Sequence, residues 1–309
     1  MWDTSLVALE ELEILARIRD LFPGGRELDD DCGLVPPPAS GERLLVTTDL
    51  LQEGIHFILS WHPPELLARK LLAVNLSDLD ASGANPMGFT LTLALPPALD
   101  PSWLDAFLRA LAETATKGGL RLLGGDTVGS PTGLGLGMTA FGSARRWLRR
   151  SGMQPGDRIF VDQPLGLSLQ GLRRLQGGDR WDPALPDPAL RAHLCPEPRL
   201  GLGRRLAELP EVHACMDLSD GLSRDLRSMA LASNCSVALA PDLSPDEIEG
   251  GEDYARCFAT PLGPEELRDR LGLSFRQVGR ALPRAGSPLG REGDAWVPVP
   301  DRAFDHFRP

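Results

Sequence analysis

Apolar residues recur at helical spacing over three stretches of the first half, residues 5–21, 64–83 and 101–117, and predict amphipathic helices there. The middle one, PELLARKLLAVNLSDLDASG, opens on Pro64 and closes on Gly83, a start and a stop signal. Shorter apolar runs predict strands at 43–48 (RLLVTT, ending at Asp49), 89–95 (FTLTLAL), 120–123 (LRLL, ending in Gly124-Gly125-Asp126) and 134–142 (LGLGMTAFG), the last light in side chains. From Arg146 a second half begins, where the turn SGMQPGD feeds a strand at 158–161. Helices are expected at 167–176, 199–209 and 220–233, and strands at 235–240, 256–260, 275–280 and 295–299. The stretch 177–198, rich in Pro, Gly and Asp, reads as a loop or lid. Strands alternating with helices in both halves predict an α/β (α+β) fold in two domains, residues 1–145 and 146–309.

Composition narrows the partners. A chain of 309 residues is comfortable for two cores. A net charge of −11 leaves no basic patch to neutralise nucleic-acid phosphates, so no nucleic-acid partner is expected. No apolar run approaches the ~20 residues of a membrane span, and the acidic N-terminus MWDTSLVALEELEILARI is unlike a signal peptide. The five cysteines (Cys32, Cys195, Cys215, Cys235, Cys257) are odd in number and form no CxxC pair, which fits a reducing cytoplasm.

The acids carry the chemistry. Asp30, Asp31, Asp49, Asp78, Asp126, Asp217 and Asp220 end strands or sit in turns, beside Thr47 and Thr48, Gly124-Gly125, Thr127 or Ser219. Any one of them has an ordinary reading as a turn or helix-capping residue. Collected in one cleft they would repel, by about 4 kcal/mol for a pair about 4 Å apart at an effective dielectric near 20. An oxygen-only donor set suits a hard cation, Mg²⁺ or Mn²⁺. There is no GxxxxGK[ST] phosphate loop, no HRD or DFG set, and the only lysines are Lys70 and Lys117. Phosphate charge would then fall to metal, arginine and backbone N–H, which is adequate for phosphoryl transfer.

The blocks DDCGL (30–34), TTDLLQEGIHF (47–57), LAVNLSDLDASGANP (72–86), LLGGDTVGSP (122–131), RSGMQPGDRIFV (150–161), DLSDGLSRDL (217–226), GGEDYARCF (250–258) and FDHF (304–307) resemble, in order and over nearly the whole chain, the thiamine-monophosphate kinases of the aminoimidazole-ribonucleotide-synthetase-like superfamily. The resemblance implies an enzyme that makes thiamine diphosphate from thiamine monophosphate, with ATP as co-substrate and several Mg²⁺ ions. It implies metal ligands at Asp31, Thr47, Thr48, Asp49, Asp78, Asp126, Asp217 and Asp220, some through water. It implies nucleotide contacts at Gly125, Asp126, Arg150 and Ser219, and substrate contacts at His56, Glu252 and Phe304. It also implies a homodimer in which the N-terminal sheet pairs with its twofold mate.

On residue chemistry alone, His56 reads equally as a packed histidine, Glu252 as a turn acid, Phe304 as a core anchor and Arg150 as a solvated charge; Asp157 reads as a turn residue. Three departures from the family pattern stand out. Asp29 replaces a glycine, only Ser244 to Glu249 precede Gly250 where the family carries a helical segment, and DQPLG (162–166) replaces a TGTLG-like loop. Two alternatives stay open: another phosphoryl-transfer enzyme of the superfamily, and a nucleotide-binding protein without catalysis. Against selenophosphate synthetase, which uses a reactive Cys with a nearby Lys, no Lys precedes Lys70 here.

Overall fold

The computed structural model describes residues 11–22, 35–284, 286–291 and 296–300. They divide into two compact units. The first takes the described residues up to Leu79 together with Pro86–Ser143, and the second takes Asp80–Asn85 and the described residues from Ala144 onward.

The first unit is built on a four-stranded sheet in the order β1 (Arg43–Gln52), β4 (Gly135–Ala144), β2 (Asn85–Leu95), β3 (Arg121–Gly129). Three of its strands outrun their expected ends, β4 by two residues, to Ala144. β1 continues through Asp49 to Gln52, and β3 continues through Gly124-Gly125-Asp126 to Gly129. β2 and β3 run parallel with a register shift between Phe89 and Thr90, after which Leu91 faces Gly125 and Thr92 faces Asp126. Among the described residues three helices belong here: α1 (Glu11–Leu21), α2 (Pro64–Ala81) and α3 (Pro101–Lys117), the last two residues of α2 grouping with the second unit. α3 shows why these residues form helices. Asp100 caps it by accepting the N–H of Ser102 at 2.8 Å, and Pro101 stands at its first turn. Leu104, Phe107, Leu108, Leu111 and Ala115 then form one buried stripe at i, i+3, i+4, i+7 and i+11.

The second unit holds a seven-stranded mixed sheet in the order β11 (Val297–Pro298), β10 (Leu289–Arg291), β7 (Cys235–Leu239), β9 (Arg276–Pro283), β5 (Arg158–Val161), β8 (Arg256–Thr260), β6 (Ala214–Asp217). Strand alternation sorts its side chains into two cores. Ile159, Val161, Met216, Cys257 and Ala259 go to one, with Leu226 and Met229 of α7 (Leu222–Ala232). Phe160, Cys215 and Phe258 go to the other, with Leu202 and Leu206 of α6 (Leu202–Ala207) and Leu267 and Leu271 of α9 (Pro264–Leu271). Phe160 stacks on Phe258 with ring centroids 5.7 Å apart.

α4 (Leu167–Gln176) occupies its expected place, but the stretch 177–198 is not wholly loop: it contains α5 (Pro188–Leu194). Asp187 caps α5, accepting the N–H groups of Ala189 and Leu190 at 3.0 Å each. The short segment before Gly250 is also ordered. Residues Pro245–Glu249 form α8, closed by a capping box between Ser244 and Glu247.

Candidate functional site

In the first unit the structure brings Thr47 and Asp78 together. The Thr47 hydroxyl donates to Asp78 Oδ2 at 2.5 Å, joining β1 to α2. Thr48 donates to the carbonyl of Met138 at 3.0 Å and accepts from the Thr139 hydroxyl at 3.1 Å, across to β4. Asp49 is half-buried on the same strand. Asp126 is exposed on β3 and accepts the N–H of Thr127 at 3.0 Å. Gly125 has a steric reason to be glycine: a Cβ there would lie 2.1 Å from the carbonyl oxygen of Leu91 on β2. His56 closes the turn after β1, its Nδ1 accepting the N–H of Gln52 at 3.0 Å. A neutral ring so placed carries its proton on Nε2. The buried Lys70 of α2 donates to the His56 carbonyl at 3.3 Å.

In the second unit, DLSDG and GGEDY form one backbone-packed element. Asp217 ends β6 and is buried, while Ser219 and Asp220 are half-exposed in the turn to α7. Glu252 donates its N–H to the carbonyl of Ser219 at 2.7 Å, and Tyr254 donates to that of Leu218 at 2.8 Å. Glycine is required on both sides. A Cβ on Gly251 would lie 2.8 Å from the Ser219 carbonyl oxygen, and one on Gly221, at φ 118, would lie 3.0 Å from that of Glu249. Glu252 (φ 61) and Tyr254 (φ 50) take left-handed backbone conformations that non-glycine residues rarely adopt. Arg150 is exposed; its carbonyl accepts from the Ser233 hydroxyl at 3.1 Å. Asp31 and Phe304 lie outside the described residues, as does Asp29.

Sequence reasoning passed over several groups that hold this element. Asp225 of α7 accepts the N–H groups of Asp220 and Gly221 at 3.1 and 3.2 Å. Burial, and then the charges of Asp220 and Asp217, push its carboxyl up to about 8. Asp253 accepts the N–H groups of Gly166 and Ser168 at 2.7 and 3.4 Å at the start of α4, and burial pushes it up to about 6. Arg256, fully buried, donates from Nε to Asp80 Oδ2 at 2.8 Å. Asp80 also accepts the N–H groups of Gly201 and Gly203, at 2.5 and 3.0 Å. Asp162, in the DQPLG loop, accepts the N–H of Arg256 at 2.7 Å, and burial raises its carboxyl. Asp157 is the turn residue expected, accepting the N–H of Gln154 at 2.8 Å, with His213 Nδ1 2.9 Å from its carboxylate.

Asp225 is raised first by burial and only then by the charges of Asp220 and Asp217; an oxygen-only donor set such as the one expected here suits a hard divalent cation. Among the described residues no group of three or more His, Cys, Asp or Glu side chains is gathered in a metal-holding cluster. Thr47, Thr48, Asp49, Asp78 and Asp126 belong to the first unit, and Asp217 and Asp220 to the second.

Comparison with known proteins gives concordant matches. The family described as AIR synthase related protein, N-terminal domain, matches residues 29–144. Thiamine-monophosphate kinase of Escherichia coli K12 is 35% identical over 331 residues, covering 97% of this chain and 99% of that protein. The crystal structure of thiamine-monophosphate kinase from Stenotrophomonas maltophilia K279a aligns with a TM-score of 0.74 at 32% identity, covering 94% of this chain and 98% of that one. A structure of AaThiL complexed with AMPPCP and TMP aligns with a TM-score of 0.74 at 25% identity, covering 99% of both chains.

Proposed function

The chain belongs to the thiamine-monophosphate kinases, and from that membership we propose that it transfers the γ-phosphate of ATP to thiamine monophosphate, giving thiamine diphosphate and ADP. The observation that carries this reading is the alignment over 99% of both chains with AaThiL, a protein held in complex with AMPPCP and TMP. A phosphate oxygen of the substrate forms the new P–O bond to the γ-phosphorus while the bond to the ADP oxygen breaks. That nucleophile is already anionic, so no protein general base is required, and no residue is assigned as a covalent nucleophile.

Asp31, Thr47, Thr48, Asp49, Asp78, Asp126, Asp217 and Asp220 would hold several Mg²⁺ ions, some through water. Bound there, Mg²⁺ supplies neutralisation of the phosphate charge. The hydrogen bond from Thr47 to Asp78 fixes one of these carboxylates in advance. Gly125, Asp126, Arg150 and Ser219 would contact the nucleotide. His56, Glu252 and Phe304 face thiamine monophosphate, with the carboxylate of Glu252 suited to a cationic thiazolium or an aminopyrimidine donor. In this reading residues 1–145 bind metal and nucleotide and dimerise, and residues 146–309 complete the nucleotide and substrate site.

We further propose a homodimer formed through β1. Leu44, Val46 and Leu50 share one face of that strand and are 45%, 63% and 57% exposed, a concentration of apolar surface that favours a partner. The cytoplasm is the compartment that fits the four described cysteines, all of them buried. Among the described residues no helix is long and apolar enough to cross a membrane.

Calorimetry with AMPPCP and then with thiamine monophosphate, each with and without Mg²⁺, tests the assignment. Mg²⁺-dependent binding of both supports it. Binding of nucleotide but not of thiamine monophosphate would turn the reading toward another superfamily reaction or a non-catalytic role.

A further inference from the structure

The carboxylate of Glu252 is not left to its own rotamers. His193, at the end of α5 and 5% exposed, places Nδ1 3.2 Å from Glu252 Oε2 and 3.2 Å from the Ser168 hydroxyl. A carboxylate only accepts, so Nδ1 carries the proton and is shared between Glu252 and Ser168. Two features bring the imidazole there. Asp187 and Pro188 start α5 at a fixed point. Gly171 lets α5 lie against α4, since a Cβ at 171 would fall 2.0 Å from the carbonyl oxygen of Ala189 and 3.1 Å from the Cβ of His193.

Glu252 is therefore held three ways. Its N–H is tied to Ser219, the carboxylate of its neighbour Asp253 anchors the start of α4, and its own carboxylate meets His193. Its left-handed backbone, at φ 61, is the conformation these ties impose. A chain that accepts backbone strain to aim one acid, and buries an imidazole behind it, is built to present that acid in a single orientation.

We propose that His193 is a positioning residue that sets the Glu252 carboxylate for the cationic heterocycle of the substrate, and so sets affinity for thiamine monophosphate without touching the transferred phosphate. This rests on the reading that Glu252 faces thiamine monophosphate.

Steady-state kinetics on the 309-residue chain tests it. His193→Ala is expected to raise KM for thiamine monophosphate roughly tenfold, leaving kcat and the KM for ATP within about twofold. His193→Asn, whose amide nitrogen stands close to the place of Nδ1, is expected to recover most of that loss. In a Glu252→Ala background, His193→Ala is expected to add nothing. An unchanged KM in His193→Ala overturns the proposal, as does an equal and independent effect in both backgrounds, or a joint fall of kcat and thermal midpoint with no selective change in KM. The pairing is also read without substrate: by NMR, the titration midpoint of the His193 ring is expected to drop in Glu252→Gln, and an unchanged midpoint overturns it. A wild-type protein that forms no thiamine diphosphate contradicts the proposed function instead, and the NMR result still decides the pairing.

Discussion

Arg256 and Asp80, 176 positions apart in the chain, meet at 2.8 Å with both side chains out of water. Asp80 spends its remaining acceptor capacity on the N–H groups of Gly201 and Gly203, and Arg256 stands opposite Asp217 in the pairing of β8 with β6. Removing one partner of such a pair leaves an uncompensated buried charge, so Asp80→Ala is expected to cost about 3–5 kcal/mol of stability. The double change Asp80→Leu with Arg256→Met is expected to cost less than either single loss. Urea unfolding of wild type, Asp80→Ala, Asp80→Leu, Arg256→Met and the double variant checks both statements, and additive costs of the two single changes in the double variant would contradict the pairing.

The bond from Thr47 to Asp78 predicts a graded series. Asp78→Ala is expected to lower turnover of thiamine monophosphate at least about a hundredfold, with the thermal midpoint moving by only a few degrees. Thr47→Ser keeps the hydroxyl and is expected to stay near wild type, whereas Thr47→Val falls between. Near-normal turnover in Asp78→Ala would remove that residue from the metal set.

Asp253 gives the protein a pH signature. Its carboxyl is raised from the usual range to about 6 by burial, so between about pH 4 and pH 6 the folded state binds more protons than the unfolded one. Its contribution is therefore most favourable below about pH 4 and is lost as pH rises through 6. Comparing urea stability at pH 4.5 and pH 7, Asp253→Asn is expected to show a smaller fall than wild type over that interval. An identical fall would place the titration elsewhere.

The described cysteines should be chemically silent. Cys195, Cys215, Cys235 and Cys257 are buried, and desolvation raises the thiols of Cys215, Cys235 and Cys257. Only the thiolate reacts, so peptides carrying these four are expected to take up iodoacetamide at pH 8 only after unfolding. Mass mapping of native and denatured samples decides this.

The strand and helix framework was legible where local patterning and long-range packing agree. α3 carried its proline and its apolar stripe within its seventeen residues, with its cap Asp100 just before them, and β5 appeared where the turn SGMQPGD predicts it. α5 was not read, because Pro, Gly and Asp dominate 177–198, although Asp187-Pro188 was a start signal within it. The ends of β1 and β3 were set too early because Asp49 and Gly124-Gly125-Asp126 resemble strand terminators, while pairing with neighbouring strands carries both past them. Among site residues, those in local motifs were nameable. Asp80, His193 and Arg256 were not, since nothing near them in sequence tells a solvated charge from a buried one whose partner is far along the chain.

The most direct measurement is product formation. The 309-residue chain is incubated with ATP, Mg²⁺ and thiamine monophosphate and chromatographed for thiamine diphosphate, with free thiamine and a metal-free reaction alongside. Thiamine diphosphate that appears from the monophosphate alone, and only with metal, is the expected result. No product from a folded protein that still binds nucleotide would contradict the assignment as a thiamine-monophosphate kinase.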